Sequence, residues 1–207
     1  MSLVVLKPNL FILFMPLFAL WLLWQKRWQI IAGGVAGLTG LLVISWLILP
    51  GWVMDWAAVR SKTAVVTITP TVWGLASDLF GSGWFIGGMV LAIGVTIGIG
   101  GYIFAHKELS ITAVFSLALA ASFLVTPYMW TYEHALLLIP WLWSFVLIRP
   151  RKLAQRILLL IAFILPWAMF IIAVIRLQES LSFVVPLAAI IVIIYTQKYF
   201  AADDVVT

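Results

Sequence analysis

Two short stretches of this 207-residue chain gather side chains able to do chemistry. Lys7-Pro8-Asn9 places an ammonium directly before a long apolar run. There it can hold a phosphate at membrane level as a point charge, and the same placement suits an anchor that snorkels to the interface. The second stretch is Thr126-Pro127-Tyr128-Met129-Trp130-Thr131-Tyr132-Glu133-His134. Its rings can stack on a sugar while Glu133 or His134 hydrogen-bonds to it; alternatively it is an aromatic belt with polar turn residues. Further ionisable groups fall near the same predicted outer boundary: Asp55, Arg60, Lys62, Asp78, Arg176 and Glu179. The chain has no GxxxxGK[ST] phosphate loop, no HExxH zinc helix and no GxSxG nucleophile turn. It has no cysteine, and its two histidines, His106 and His134, fall on opposite predicted sides. We therefore expect no metal and no cofactor.

The elements that must position these residues are membrane helices. Hydrophobic residues make up 65% of the chain and charged residues 9%, too few charges to cover a water-soluble globule. Apolar runs at 9–24, 28–49, 84–105, 109–130, 135–148, 157–175 and 181–195 read as seven spans, the fifth and seventh short for a core of ~30 Å. The fold class is thus all-α, a polytopic membrane helix bundle forming a single transmembrane domain over 1–207. Lys26, Arg27, Lys107, Arg149, Arg151, Lys152, Arg156 and Lys198 fall on one side of these spans; Lys7, Arg60, Lys62 and Arg176 fall on the other. The eight-residue side is predicted cytoplasmic, with the N-terminus outside. The +5 net charge is accordingly topology rather than a nucleic-acid footprint, and the partner is the lipid bilayer. The start, with no basic leader and with Lys7-Pro8 in its apolar run, reads as structure rather than a signal peptide.

The one long connection, 50–83, is predicted to lie on the outer side. Trp52, Trp56 and Val59 share one face there, as in a helix lying in the interface, and a short turn follows from Val72 to Leu79. Pro16, Pro140, Pro166 and Pro186 fall inside spans, where they shape helices and can open a groove. The pairs Gly33/Gly37, Gly83/Gly87 and Gly94/Gly98 suit close helix packing within the chain. No Asp, Glu, Lys or Arg falls near the middle of a span, which argues against an ion-coupled transporter.

Several blocks, in order, resemble glycosyltransferase family 87, multispanning enzymes of the C-type superfamily similar to polyprenyl-phosphate-mannose-dependent mannosyltransferases. These are Leu6-Lys7-Pro8-Asn9, Gln25-Lys26-Arg27-Trp28, Trp52 to Arg60, Pro70-Thr71-Val72-Trp73-Gly74-Leu75 and Thr126 to Pro140. The resemblance covers most of this chain but only the C-terminal half of a family member. It implies a bacterial-type plasma membrane protein that transfers a sugar, mannose above all, from a polyprenyl-phosphate donor at the outer face by an inverting displacement. It also implies substrate-binding roles for Lys7, Arg60, Tyr132, Glu133 and His134. Asn9 stands where the family has Gln, and Glu133 where it usually has Asp. The family's catalytic aspartate lies upstream of the matched region, so no position here inherits it. Glu133 and Asp55 are the candidates left for that role, and the resemblance implies a chain incomplete or inactive without an N-terminal half or partner subunit. The competing expectation is a non-catalytic membrane assembly subunit, followed by a transporter.

The charge asymmetry makes a direct prediction. A cysteine introduced at Ser61 should react with an impermeant thiol reagent from outside the cell, and one at Gln155 should not. The reverse labelling pattern would invert the topology.

Overall fold

The computed structural model describes residues 13–52, 54, 69–148, 153–177 and 179–203, and among them the fold is all-helical. Eight α-helices follow in order among the described residues: α1 Phe14–Trp24, α2 Trp28–Ile48, α3 Val72–Phe80, α4 Trp84–Ala105, α5 Ile111–Val125, α6 Leu138–Ile148, α7 Leu153–Arg176 and α8 Val184–Asp203. Short 3-10 turns at Gly81–Gly83, Thr131–Leu137 and Ser180–Phe183 lead into α4, α6 and α8. Among the described residues four segments are long and apolar enough to cross a membrane: Trp28–Ile48, Val72–Ala105, Ile157–Arg176 and Ser180–Gln197. The chain is therefore an integral membrane protein by the length and composition of its helices. Within the second segment Gly81 takes φ +51, a left-handed conformation open to glycine, and α3 folds back on α4. The spanning piece is α4, whose 22 residues extend about 33 Å.

Local signals explain several boundaries. Thr71 is extended and its hydroxyl accepts from the Trp73 amide at 3.3 Å, starting α3; Ser110 does the same for Ala113 at 3.1 Å, starting α5. The run expected over 109–130 ends five residues early as a helix. Thr126 precedes Pro127 and leaves the helical region at ψ 132, because the proline ring disfavours α conformation in the residue before it. The run expected to begin at 135 starts instead as the 3-10 turn Thr131–Leu137. Of the four intraspan prolines, Pro16, Pro140 and Pro186 sit third in their helices, where a missing N–H leaves no helical bond unmade. Only Pro166 lies in a helix interior, so the expectation of general proline bending narrows to α7.

Helix α5 is the centre. Its eleven buried residues include Ala113, Ala118, Ala120, Ala121, Ser116 and Ser122, small enough to let α1, α4 and α8 approach closely. Phe14 and Phe18 of α1 meet Phe115 edge-on at 4.9 and 5.7 Å. Trp73 closes the end of the bundle: its indole N–H donates to the Val125 carbonyl at 2.7 Å, and its ring lies against Gly88 and 6.3 Å from Trp84. That carbonyl is open to Trp73 because the helix has stopped.

The glycine pairs divide. Gly83 and Gly87 pack against Phe80, whereas a side chain added at Gly33, Gly94 or Gly98 would meet nothing within 4 Å among the described residues. Among the described residues the expectation of intrachain packing fails at those three positions: Gly33 lies on α2, which contains no buried residue, and Gly94 and Gly98 lie on a face of α4 that no neighbouring helix covers. The interface-helix reading of the outer connection falls on Trp56 and Val59, outside the described residues; Trp52 is half-buried. The short turn expected over Val72 to Leu79 is a nine-residue packed helix.

Gly74 gives the sharpest test of this packing. A Cβ there would collide with the Thr69 backbone carbonyl, which cannot swing aside as a side chain can, whereas Gly94 faces open space. Gly74→Ala should destabilise the bundle by about 1–3 kcal/mol, and Gly94→Ala should change it by less than about 0.5 kcal/mol. Equilibrium unfolding in mixed micelles reads both, and equal effects would contradict the packing of α3.

Candidate functional site

The end of the bundle where α5 stops gathers most of the described candidates. After Thr126-Pro127 the chain runs through Tyr128, Met129 and Trp130 into the turn Thr131–Leu137. Glu133 shapes that turn: one of its carboxylate oxygens accepts from the Trp130 amide at 2.9 Å, while its own amide donates to the Trp130 carbonyl at 3.0 Å. Glu133 is only 6% exposed, so its carboxylate holds the backbone that presents Tyr132. Tyr132, by contrast, is 62% exposed.

Glu179 completes the site from 48 residues downstream. One of its carboxylate oxygens accepts from both the Thr131 amide, at 2.6 Å, and the Thr131 hydroxyl, at 2.8 Å. The chain reaches it through Leu177, whose φ of +54 turns the backbone sharply after α7 ends at Arg176. A cavity of about 310 Å³ opens here, with Trp130, Thr131, Tyr132 and Glu179 on one side and Phe170 and Val174 of α7 on the other.

His134 points elsewhere. It is 5% exposed, lies 6.3 Å from the Phe123 ring of α5, and neither ring nitrogen has a protein partner. Burial pushes its pKa down to about 3, since the imidazolium would lose its hydration with no carboxylate to replace it. It lines neither of the two cavities described here. The turn faces the imidazole toward Phe123 of α5 rather than into either of these two cavities.

The second cavity is apolar and also about 310 Å³. Phe14, Phe18 and Leu22 of α1, Ile31 of α2 and Leu119 of α5 form its walls, and Leu136 of the Thr131–Leu137 turn borders it too. From Phe14 to Leu22 it follows α1 for about 12 Å. The turn thus touches both cavities, with Leu136 at one and Thr131 and Tyr132 at the other.

The opposite end of the bundle holds a different set. The Lys107 ammonium sits 5.6 Å over the Trp24 ring, and the Gln25 side-chain amide donates to the Lys107 carbonyl at 3.4 Å. His106 belongs to this end, its ring nitrogen 2.9 Å from the Tyr102 carbonyl, so the two histidines are separated by the length of the bundle. Among the described residues no three His, Asp or Glu side chains converge on one point. Lys7, Asp55 and Arg60 lie outside the described residues. The bond between Thr131 and Glu179 escaped the sequence reading, which had only the shared predicted side to connect two residues so far apart.

No family model, curated protein or solved structure matches the chain.

The buried imidazole has a measurable consequence. In the unfolded chain His134 takes up a proton near pH 6.5, whereas in the fold it stays neutral until about pH 3. Its contribution to stability is complete above pH 6.5 and is lost as pH falls from there toward 3, at up to about 1.4 kcal/mol per pH unit. Unfolding measured at pH 7 and pH 5 should show this loss in the wild type and a reduced loss in His134→Phe. Identical pH slopes would place the imidazole in water.

Proposed function

We propose that this chain is a membrane glycosyltransferase-like protein that holds a polyprenyl-phosphate sugar at the outer face of the membrane. In this reading it has seven spans with the N-terminus outside, and 50–83 forms an outer loop with an interfacial helix. The observation that carries the reading is the apolar cavity bordered by the same turn that bears the polar residues. An isoprenoid chain is apolar along its length and ends in a charged phosphate, so its site needs a greasy groove adjoining polar groups. The groove between α1, α2 and α5 supplies the first, and the end of the bundle around Thr131–Leu137 the second. The ordered resemblance to family 87, with Lys7-Pro8-Asn9 and Tyr132-Glu133-His134 among its blocks, adds the sugar and the phosphate link.

The chemistry would run as an inverting displacement. An acceptor hydroxyl attacks the anomeric carbon, a carboxylate takes the hydroxyl proton, and the bond to phosphate breaks with its electron pair leaving on the polyprenyl phosphate. Cations stabilise that departing phosphate, the role proposed for Lys7 and Arg60. Tyr132 is the member of the turn placed to meet a sugar, being exposed beside Thr131. Glu133 is engaged with the Trp130 amide, which leaves Asp55 as the other carboxylate candidate of this chain. An N-terminal half or partner subunit carrying the family's aspartate would complete the machinery.

A second reading, a non-catalytic assembly subunit, draws on α2. This 21-residue apolar helix has no buried residue, and its Gly33 and Gly40 face open space, as a helix awaiting a neighbouring chain would.

Binding of polyprenyl-phosphate mannose to the chain in nanodiscs decides between them. Lys7→Ala should lose a charge-assisted contact of about 1.5–3 kcal/mol, ten- to hundred-fold in affinity, and Lys26→Ala at the opposite end should lose nothing. Ala19→Trp, which fills the groove, should weaken binding at least about ten-fold. Equal affinities in wild type and Lys7→Ala would remove Lys7 from the site, and no binding by any form would favour the subunit.

A further inference from the structure

The cavity beside Glu179 is distinct from the apolar groove, and its lining has one electrostatic sign. We propose that it binds an organic ammonium group, supplied by a lipid headgroup or by a free amine. Glu179 brings a full negative charge into a pocket otherwise walled by Trp130, Tyr132, Phe170 and the aliphatic side chains of α7. Among the described residues it forms no ion pair, and Arg176, only three residues away, is exposed and makes none either. A carboxylate against apolar walls gains from a counter-charge that loses little on leaving water, and an alkylated ammonium is such a charge. The three aromatic rings act in the same direction, because a ring face attracts a cation.

The hydrogen bonds argue against an anion. Thr131 gives both its amide and its hydroxyl proton to Glu179, so those donors face the carboxylate and are not available to a phosphate. The same two bonds fix the carboxylate in place, so a ligand meets an oriented acceptor rather than a mobile side chain. At about 310 Å³ the cavity is at the small end of ligand pockets, suited to a headgroup rather than an acyl chain. It lies at an end of the bundle, where headgroups of a surrounding bilayer are found. The polyprenyl-phosphate reading shares Tyr132 at this cavity but uses neither Glu179 nor any ammonium, and its isoprenoid groove is the other cavity, so Glu179→Gln tests this inference alone and Ala19→Trp tests that reading alone.

The test is equilibrium binding of radiolabelled tetramethylammonium to the full chain in a polyoxyethylene detergent free of amines and sugars. Saturable binding is expected. Glu179→Gln should weaken it at least ten-fold while leaving the melting temperature nearly unchanged, because the amide oxygen still accepts from Thr131. Tyr132→Ala should weaken it several-fold, and Tyr132→Phe should not. A second arm separates the sources: the chain is extracted from mixed phosphatidylcholine and phosphatidylglycerol vesicles and its retained lipid is weighed by mass spectrometry. Phosphatidylcholine enriched on wild type but not on Glu179→Gln identifies a headgroup, and binding of tetramethylammonium without that enrichment identifies a free amine. Absent saturable binding overturns the proposal, as does binding untouched by Glu179→Gln. Glu179-dependent binding of methyl mannoside in place of tetramethylammonium would also overturn it, making the cavity a hydroxyl site.

Discussion

A peptide group inside hydrocarbon has nothing to bond except another group of the protein, and every break in a membrane helix must be made where protein supplies the partner. The break after Val125 meets this demand in a specific way. Pro127 stops α5, and the Val125 carbonyl accepts from the Trp73 indole. On the far side of the break, Trp130 and Thr131 give their amide protons to Glu133 and Glu179. Two carboxylates and an indole thus do what the next helical turn would have done. The candidate site is a by-product of that repair, because the groups that satisfy the broken backbone are also the polar groups at this end of the bundle.

The centre of the bundle obeys a steric version of the same economy. Between apolar helices in lipid there is little hydrophobic gain to be had, so close contact and hydrogen bonds must supply cohesion. Helix α5 is accordingly lined with Ala and Ser, and larger rings pack around it: Phe14 and Phe18 on Phe115, and Trp73 bonded to the Val125 carbonyl at its end and lying against Gly88 of α4. Helix α2 lacks any such mate. With no residue buried, it forms one wall of the apolar groove and otherwise faces away from the bundle, so the groove is bounded on one side by the least constrained helix described.

Legibility in the sequence followed the range of the interaction. The span expected at 84–105 coincides with α4, because a long apolar run bounded by Gly83 and His106 carries its own limits. The helical class and the membrane setting were equally plain, being properties of composition. The run expected to 130 stopped at Val125, although the stop signal, Pro127, stood in the sequence; apolar residues beyond it outweighed one proline in the reading. Helix α7 begins at Leu153 rather than 157, since its first turn holds Gln155 and Arg156 and hydropathy alone discounts them. Tertiary relations were harder. That Glu133 would face its own backbone and His134 the core depends on a 3-10 turn, whose three-residue period assigns faces differently from an α-helix.

That difference in period also separates the chemistry of adjacent residues. Tyr132, Glu133 and His134 are consecutive, and a linear reading treats them as one constellation. In a three-residue turn they point about 120° apart, so one faces out, one caps the backbone and one enters the core. The exposure of the three, 62%, 6% and 5%, follows that division. A carboxylate for this surface then has to come from another part of the chain, and Glu179 arrives beside Thr131 from the far end of α7. The polar face at this end is therefore assembled across the bundle, and its integrity depends on α5, α7 and the turn between α5 and α6 keeping their relative positions.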